Sequence, residues 1–155
     1  MKKILKAREM TSFLFLAALF LLVGVINPSF LTVSNVSACF NTSVVYTLIA
    51  VGMAFAIFVG EIDVSVGSNL GLVAAVVGTM IQDGANWFLD FAVGICIGAV
   101  IGLINGWGVA VMKVPSLIFT LGTNGILRGM MYLQVGVEQV NQLPKSFKDI
   151  SSMTL

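Results

Sequence analysis

The stretch Gly60-Glu61-Ile62-Asp63-Val64-Ser65-Val66-Gly67-Ser68 puts two carboxylates, two serines and two glycines between apolar runs fit to cross a bilayer. An ionised side chain at membrane depth is costly, so acids there face a protein interior, a water-filled path or the interface. Two readings of these letters stand side by side. Asp63 precedes Ser65 and Ser68 at the start of an apolar helix, which suits an N-cap accepting from free first-turn amides and favoured by the helix dipole. Gly60 and Gly67 also permit a bent backbone, and short glycine-interrupted segments meeting at a polar point mark a discontinuous helix near a translocation site. Glu61, just before the cap position, belongs more naturally to the second reading.

Outward from this motif the chain is apolar almost throughout. Of its 155 residues 58% are hydrophobic and only 10% charged, and the mean hydropathy is +1.04. Soluble domains carry about 25% charged residues. We therefore expect an all-α polytopic transmembrane helical bundle of about five spans, with a possible broken helix at 60–68. The transmembrane domain covers 10–133, between a basic arm at 1–9 and a polar tail at 134–155. Lys2, Lys3, Lys6 and Arg8 crowd the N-terminus, which the positive-inside rule places in the cytoplasm.

The first apolar run, Phe13 to Ile26, ends at Asn27-Pro28-Ser29 and reaches spanning length when extended from Met10 to Leu31. Its basic flank also suits a signal peptide, and Val36-Ser37-Ala38-Cys39 resembles a lipoprotein cleavage box. That box lies beyond a proline and is followed by more membrane sequence, which argues against cleavage. The second span is read from Ser43 to Val59 and the third from Val66 to Ile81. The fourth runs from about Phe88 to Met112, closed by Lys113 and Pro115, and the fifth from Ser116 to Leu133. Counted from inside, these spans leave Lys113 cytoplasmic and the tail outside.

Gly94, Gly98, Gly102 and Gly106 recur every four residues and share one drifting face of the fourth span. Gly67 and Gly71 repeat the spacing on the third. Such glycines let helices approach backbone to backbone in lipid, and close packing is their usual role. Thr120, Thr123, Asn124 and Arg128 form a polar cluster with Gly122 on the fifth span. Together they are fit to line a hydrophilic path, although membrane threonines more often bond to their own helix. Arg128 requires solvent, a snorkelling route, or an acid such as Glu61 or Asp63. Asn105 reads as a bond across a helix interface.

Several functions are excluded by residue type. There is no histidine, and Cys39 and Cys96 lie far apart in apolar sequence, so neither a metal site nor a disulfide framework is indicated. No nucleophile and base can be assembled. No phosphate loop of the form G-x-x-x-x-G-K-[ST] occurs, so ATP chemistry would belong to a partner.

Three segments together resemble one family. G-E-I-D-V-S-V-G-S at 60–68, G-L-I-N-G-W-G-V-A-V-M-K-V-P-S-L-I-F-T-L-G-T-N-G-I-L-R-G at 102–129 and Q-L-P-K-S-F at 142–147 are similar, in order and spacing, to the N-terminal half of ribose-type ABC importer permeases. The likeness runs from about Asn35 to Phe147. It implies a multi-pass permease subunit of the bacterial cytoplasmic membrane, surrounded by lipid and paired with a second permease half or subunit. It also implies cytoplasmic ATP-binding subunits, an extracytoplasmic sugar-binding protein, no cofactor held by this chain and no nucleic-acid partner.

Glu61, Asp63, Ser65 and Ser68 match the family's acidic motif. Asn105, Lys113, Pro115, Thr120, Gly122, Thr123 and Arg128 match its second cluster. Family permeases are about twice as long, which implies a truncated or split permease, or a half assembling with a separate chain. The alternatives are a permease for another small polar solute, such as a nucleoside or a branched-chain amino acid, and a non-transporting membrane assembly protein whose glycines dock helices and whose acids cap them.

Overall fold

The computed structural model describes residues 8–84 and 86–136. The side chains of the basic arm, the tail beyond Gly136 and the Q-L-P-K-S-F segment lie outside the described residues. Those described are all-α: α1 (Arg8–Ile26), a short 3-10 turn (Pro28–Leu31), α2 (Val33–Phe58), α3 (Val66–Gln82), α4 (Trp87–Ala110) and α5 (Ser116–Val135). By length and composition α2 and α4 are fit to cross a membrane, while the apolar stretches Met10–Ile26 and Val66–Gln82 are shorter. At 1.5 Å per residue, 17 residues give about 25 Å, the low end of a spanning helix.

The chain divides into two compact units, residues 1–47 and 48–154. In the first, Asn27 ends α1 and caps the 3-10 turn, its Oδ1 accepting from the Ser29 amide at 3.2 Å. Pro28 stands at the first position of that turn, where no N–H is needed. Leu31 folds back over Gly24, whose missing side chain leaves the room, and the Phe20 and Phe30 rings meet at 4.8 Å between centroids.

The start of α2 corrects the expectation of a span beginning at Ser43. Helix begins at Val33, so Val36-Ser37-Ala38-Cys39 is helical. Polar residues on either side of the expected start are accommodated inside the helix. Thr42, Ser43 and Thr47 donate their hydroxyls to the carbonyls of Ala38, Cys39 and Ser43, four residues back, at 2.7–2.9 Å.

In the second unit α3, α4 and α5 form a three-helix bundle, with α3 against both of the others. Leu72, Ile101 and Leu127, one from each helix, make the buried core, flanked by Val76, Ile97 and Met131. Most other large apolar side chains point outward, as suits a chain whose surroundings are lipid rather than water. The α4–α5 turn folds back through the Val114 amide, which donates to the Gly108 carbonyl at 3.2 Å. It places Lys113 at φ 57°, a left-handed conformation. A side chain there costs about 1–2 kcal/mol. Part of that is offset by the entropy a glycine would add to the unfolded chain. Lys113→Gly is therefore expected to raise stability by about 0.5–1 kcal/mol, read as a higher unfolding midpoint in detergent.

Candidate functional site

The segment between α2 and α3 decides the site. Gly60 ends α2 at φ 81°, where its own amide donates to the Ile57 carbonyl and the Glu61 amide to Ala56, both at 3.0 Å. This closure uses a left-handed glycine to satisfy the last carbonyls of a helix. The chain then runs without helix to Ser65, so the break is shorter than 60–68, and Gly67 and Ser68 already belong to α3.

Backbone amides released from a helix need other partners wherever water is shut out. Here α5 supplies them. The Ile62 amide donates to Ser116 Oγ at 3.2 Å, and the Val64 amide to Thr120 Oγ1 at 3.1 Å. Thr120 Oγ1 also lies 2.8 Å from its own helix's Ser116 carbonyl and 3.4 Å from the Ile62 carbonyl.

Asp63 is not the N-cap. Ser65 holds that position, its carbonyl accepting from the Asn69 amide at 2.8 Å. Asp63 Oδ1 instead accepts from the amide and the hydroxyl of Ser65, at 2.8 and 2.6 Å. From α4, Asn105 Nδ2 donates to Ser65 Oγ at 2.8 Å and reaches Asp63 Oδ2 at 3.5 Å, while Asn105 Oδ1 accepts from Thr123 Oγ1 at 2.8 Å. Thr123 Oγ1 also lies 3.1 Å from the carbonyl of Phe119 on its own helix. Ser68 turns inward and donates to the Ser65 carbonyl at 2.8 Å. Ser65, Ser68, Asn105 and Thr120 are all buried.

The nine candidate polar residues thus fall into two groups. Asp63, Ser65, Ser68, Asn105, Thr120 and Thr123 bond to one another or to nearby backbone and pin the 59–65 segment to α4 and α5. Glu61, Asn124 and Arg128 make no side-chain hydrogen bond among the described residues. Asn124 and Arg128 are four residues apart and share a face of α5, with Arg128 exposed. Neither acid of the motif pairs with Arg128.

The six candidate packing glycines also divide. A Cβ on Gly94 would touch Val73 and Val77 of α3 at 3.4 Å, and one on Gly71 would meet Met131 Sδ of α5 at 3.0 Å. At Gly67, Gly98, Gly102 and Gly106 it would meet nothing within 4 Å. Only the Gly94 end of the α4 stripe packs against α3, because the stripe drifts around α4 as it descends.

Several residues carry weight that the letters did not announce. Ser116, the first residue of α5, holds the Ile62 amide. Gly108 lies directly under the Phe119 ring, where no Cβ fits. Asp90, in the first turn of α4, is 4% exposed, and its Oδ1, like that of Asn69, has no hydrogen-bond partner among the described residues. A run of apolar residues around Asp90 was the available signal.

The family described as "Branched-chain amino acid transport system / permease component" matches residues 35–154. The chain belongs to this permease family. It is 37% identical over 151 residues to the autoinducer 2 import system permease protein LsrC of Enterobacter sp. (strain 638), covering 97% of this chain and 44% of that protein. The namesake from Klebsiella pneumoniae subsp. pneumoniae is 36% identical over the same shares, and that from Yersinia pseudotuberculosis is 32% identical over the whole chain and 44% of its own length. The chain thus spans less than half the length of these permease relatives. No solved structure matches it.

Proposed function

We propose that this chain forms the N-terminal transmembrane half of an ABC importer permease for a small sugar-like solute. In this reading it lies in the bacterial cytoplasmic membrane with its N-terminus inside. A second permease portion, cytoplasmic ATP-binding subunits that hydrolyse ATP and an extracytoplasmic binding protein complete the system. The likeness of nearly the whole chain to permeases named for autoinducer 2 import carries the proposal. It makes autoinducer 2 the first solute to test, ahead of ribose. A branched-chain amino acid is the second reading, favoured by the family's description.

The hydrogen-bond pattern supports a division of labour. The Asp63–Ser65–Asn105–Thr123 network fixes the 59–65 segment, and the open polar atoms of Asn124 and Arg128 on one face of α5, with Glu61, are free to face solute or water. A carboxylate is needed at Asp63. An amide there, turned to accept from Ser65, would set its NH2 against the Asn105 NH2.

The test is a chimera in which this chain replaces the matched portion of the Enterobacter relative, expressed with that relative's import system. Uptake of labelled autoinducer 2 is expected, and Asp63→Asn should reduce it about tenfold at unchanged membrane level. A chimera that inserts normally yet takes up neither autoinducer 2, ribose nor leucine would count against a transport role. Uptake of ribose or leucine in place of autoinducer 2 would reassign the solute.

A further inference from the structure

The Gly108–Phe119 and Asn105–Thr123 contacts join α4 and α5 near their connecting turn, and farther from it a groove opens between the two helices. It has a volume of about 500 Å³. Val100 and Ile104 form its α4 wall, Phe119, Ile126 and Met130 its α5 wall, and Leu72 of α3 its floor. Thr123 also lines it, its hydroxyl committed to Asn105. Apart from the Cys96 thiol, the groove therefore offers only shape and apolar surface.

Beside the α5 wall lies a second feature. Gly122 and Gly129 stand four residues before and three after Ile126, so they continue its face, and Gly125 adjoins them. A Cβ at any of the three would meet nothing within 4 Å. An acyl chain filling the groove would have no use for bare backbone at its rim. A helix would, since close approach of two backbones is what glycines permit in lipid. The relatives supply a source for such a helix, because more than half of each lies outside the matched region.

We propose that this groove receives a transmembrane helix from the portion of the permease that the relatives carry beyond the match, packed against the Ile126 wall and its glycine rim. The inference rests on the reading of the chain as part of a larger permease. The test keeps the two apart. The unmatched portion of the Enterobacter relative, tagged and co-expressed as a separate polypeptide, is captured with this chain from detergent-solubilised membranes. Groove-filling Val100→Trp and Ile126→Trp are expected to reduce capture about tenfold. Ile95→Trp, on another face of α4, should leave it unchanged.

A second measurement does not depend on how the variants fold. Cys96 also lines the groove. In a Cys39→Ser chain its labelling by N-ethylmaleimide should fall when the second polypeptide is present. No capture by the unsubstituted chain would overturn the larger-permease reading and the inference with it. Capture that withstands both groove variants, or leaves Cys96 labelling unchanged, would overturn the groove assignment alone, as occupancy by lipid would. Equal loss with Ile95→Trp would do the same.

Discussion

Asn105→Leu should lower the stability of the bundle by about 1–2 kcal/mol, since it removes the two short side-chain hydrogen bonds to Ser65 and Thr123 at about 1 kcal/mol or less each. Leucine matches asparagine in branching and heavy-atom count but is bulkier, so no cavity is left and any overpacking adds to the lost hydrogen bonds. Ser65 Oγ would lose its donor and Asp63 Oδ2 the amide at 3.5 Å, while Thr123 Oγ1 would lose its tie to α4 and keep the Phe119 carbonyl of its own helix. Ser65 is 1% exposed, so water cannot readily replace what it loses.

The readout is twofold. The unfolding midpoint in detergent, followed by tryptophan fluorescence, should drop, and the Ser65 and Val64 amides should exchange hydrogen about tenfold faster. Faster exchange at these two amides with little change in α1 would show that Asn105 acts through the 59–65 segment. An unchanged midpoint together with unchanged exchange would mean that the network is incidental.

Whether the polar letters of this chain were legible depends on how far away their partners lie. Helix ends set by local chemistry were readable: Asn86 before α4, the Lys113-Val114-Pro115 turn and Ser116 opening α5 lie within a residue or two of their expected places. The start of α2 was not. The span was read only from Ser43, yet Thr42 and Ser43 satisfy their hydroxyls on the preceding turn and keep the helix continuous from Val33.

The acidic motif was conspicuous, but its geometry was hidden, because Asp63 bonds closely to Ser65 while Ser65 is held by Asn105, 40 residues away, and Val64 by Thr120, 56 residues away. Spacing also showed that Gly94 through Gly106 share a face. It could not show that the face turns away from α3 after Gly94, which depends on the crossing of the two helices.

Gly108 is the sharpest instance of a residue explained only by its neighbour, and it carries the second large expected effect. The Phe119 ring rests on its backbone, so Gly108→Ala pushes a methyl group into the ring. Overpacking of this kind costs about 1–3 kcal/mol. The cost depends on whether the ring turns into the neighbouring groove or shifts the first turn of α5, where Phe119 lies one residue from Thr120 and four from Thr123. If the backbone of that turn shifts with the ring, both hydroxyls are drawn off Val64 and Asn105. The damage should then reach the 59–65 segment, giving Gly108→Ala faster exchange at the Val64 amide as well as a lower midpoint.

A double-mutant cycle separates collision from any intrinsic preference for glycine. Phe119→Leu alone removes ring contacts and destabilises modestly, whereas in the Gly108→Ala background it relieves the clash. The two changes together should then cost less than their sum by about 1 kcal/mol or more. Simple additivity would mean that the ring finds another rotamer without effort. In that case the close contact between α4 and α5 is not what holds Thr120 and Thr123 against the segment, and the turn at Lys113 becomes the element that sets their register.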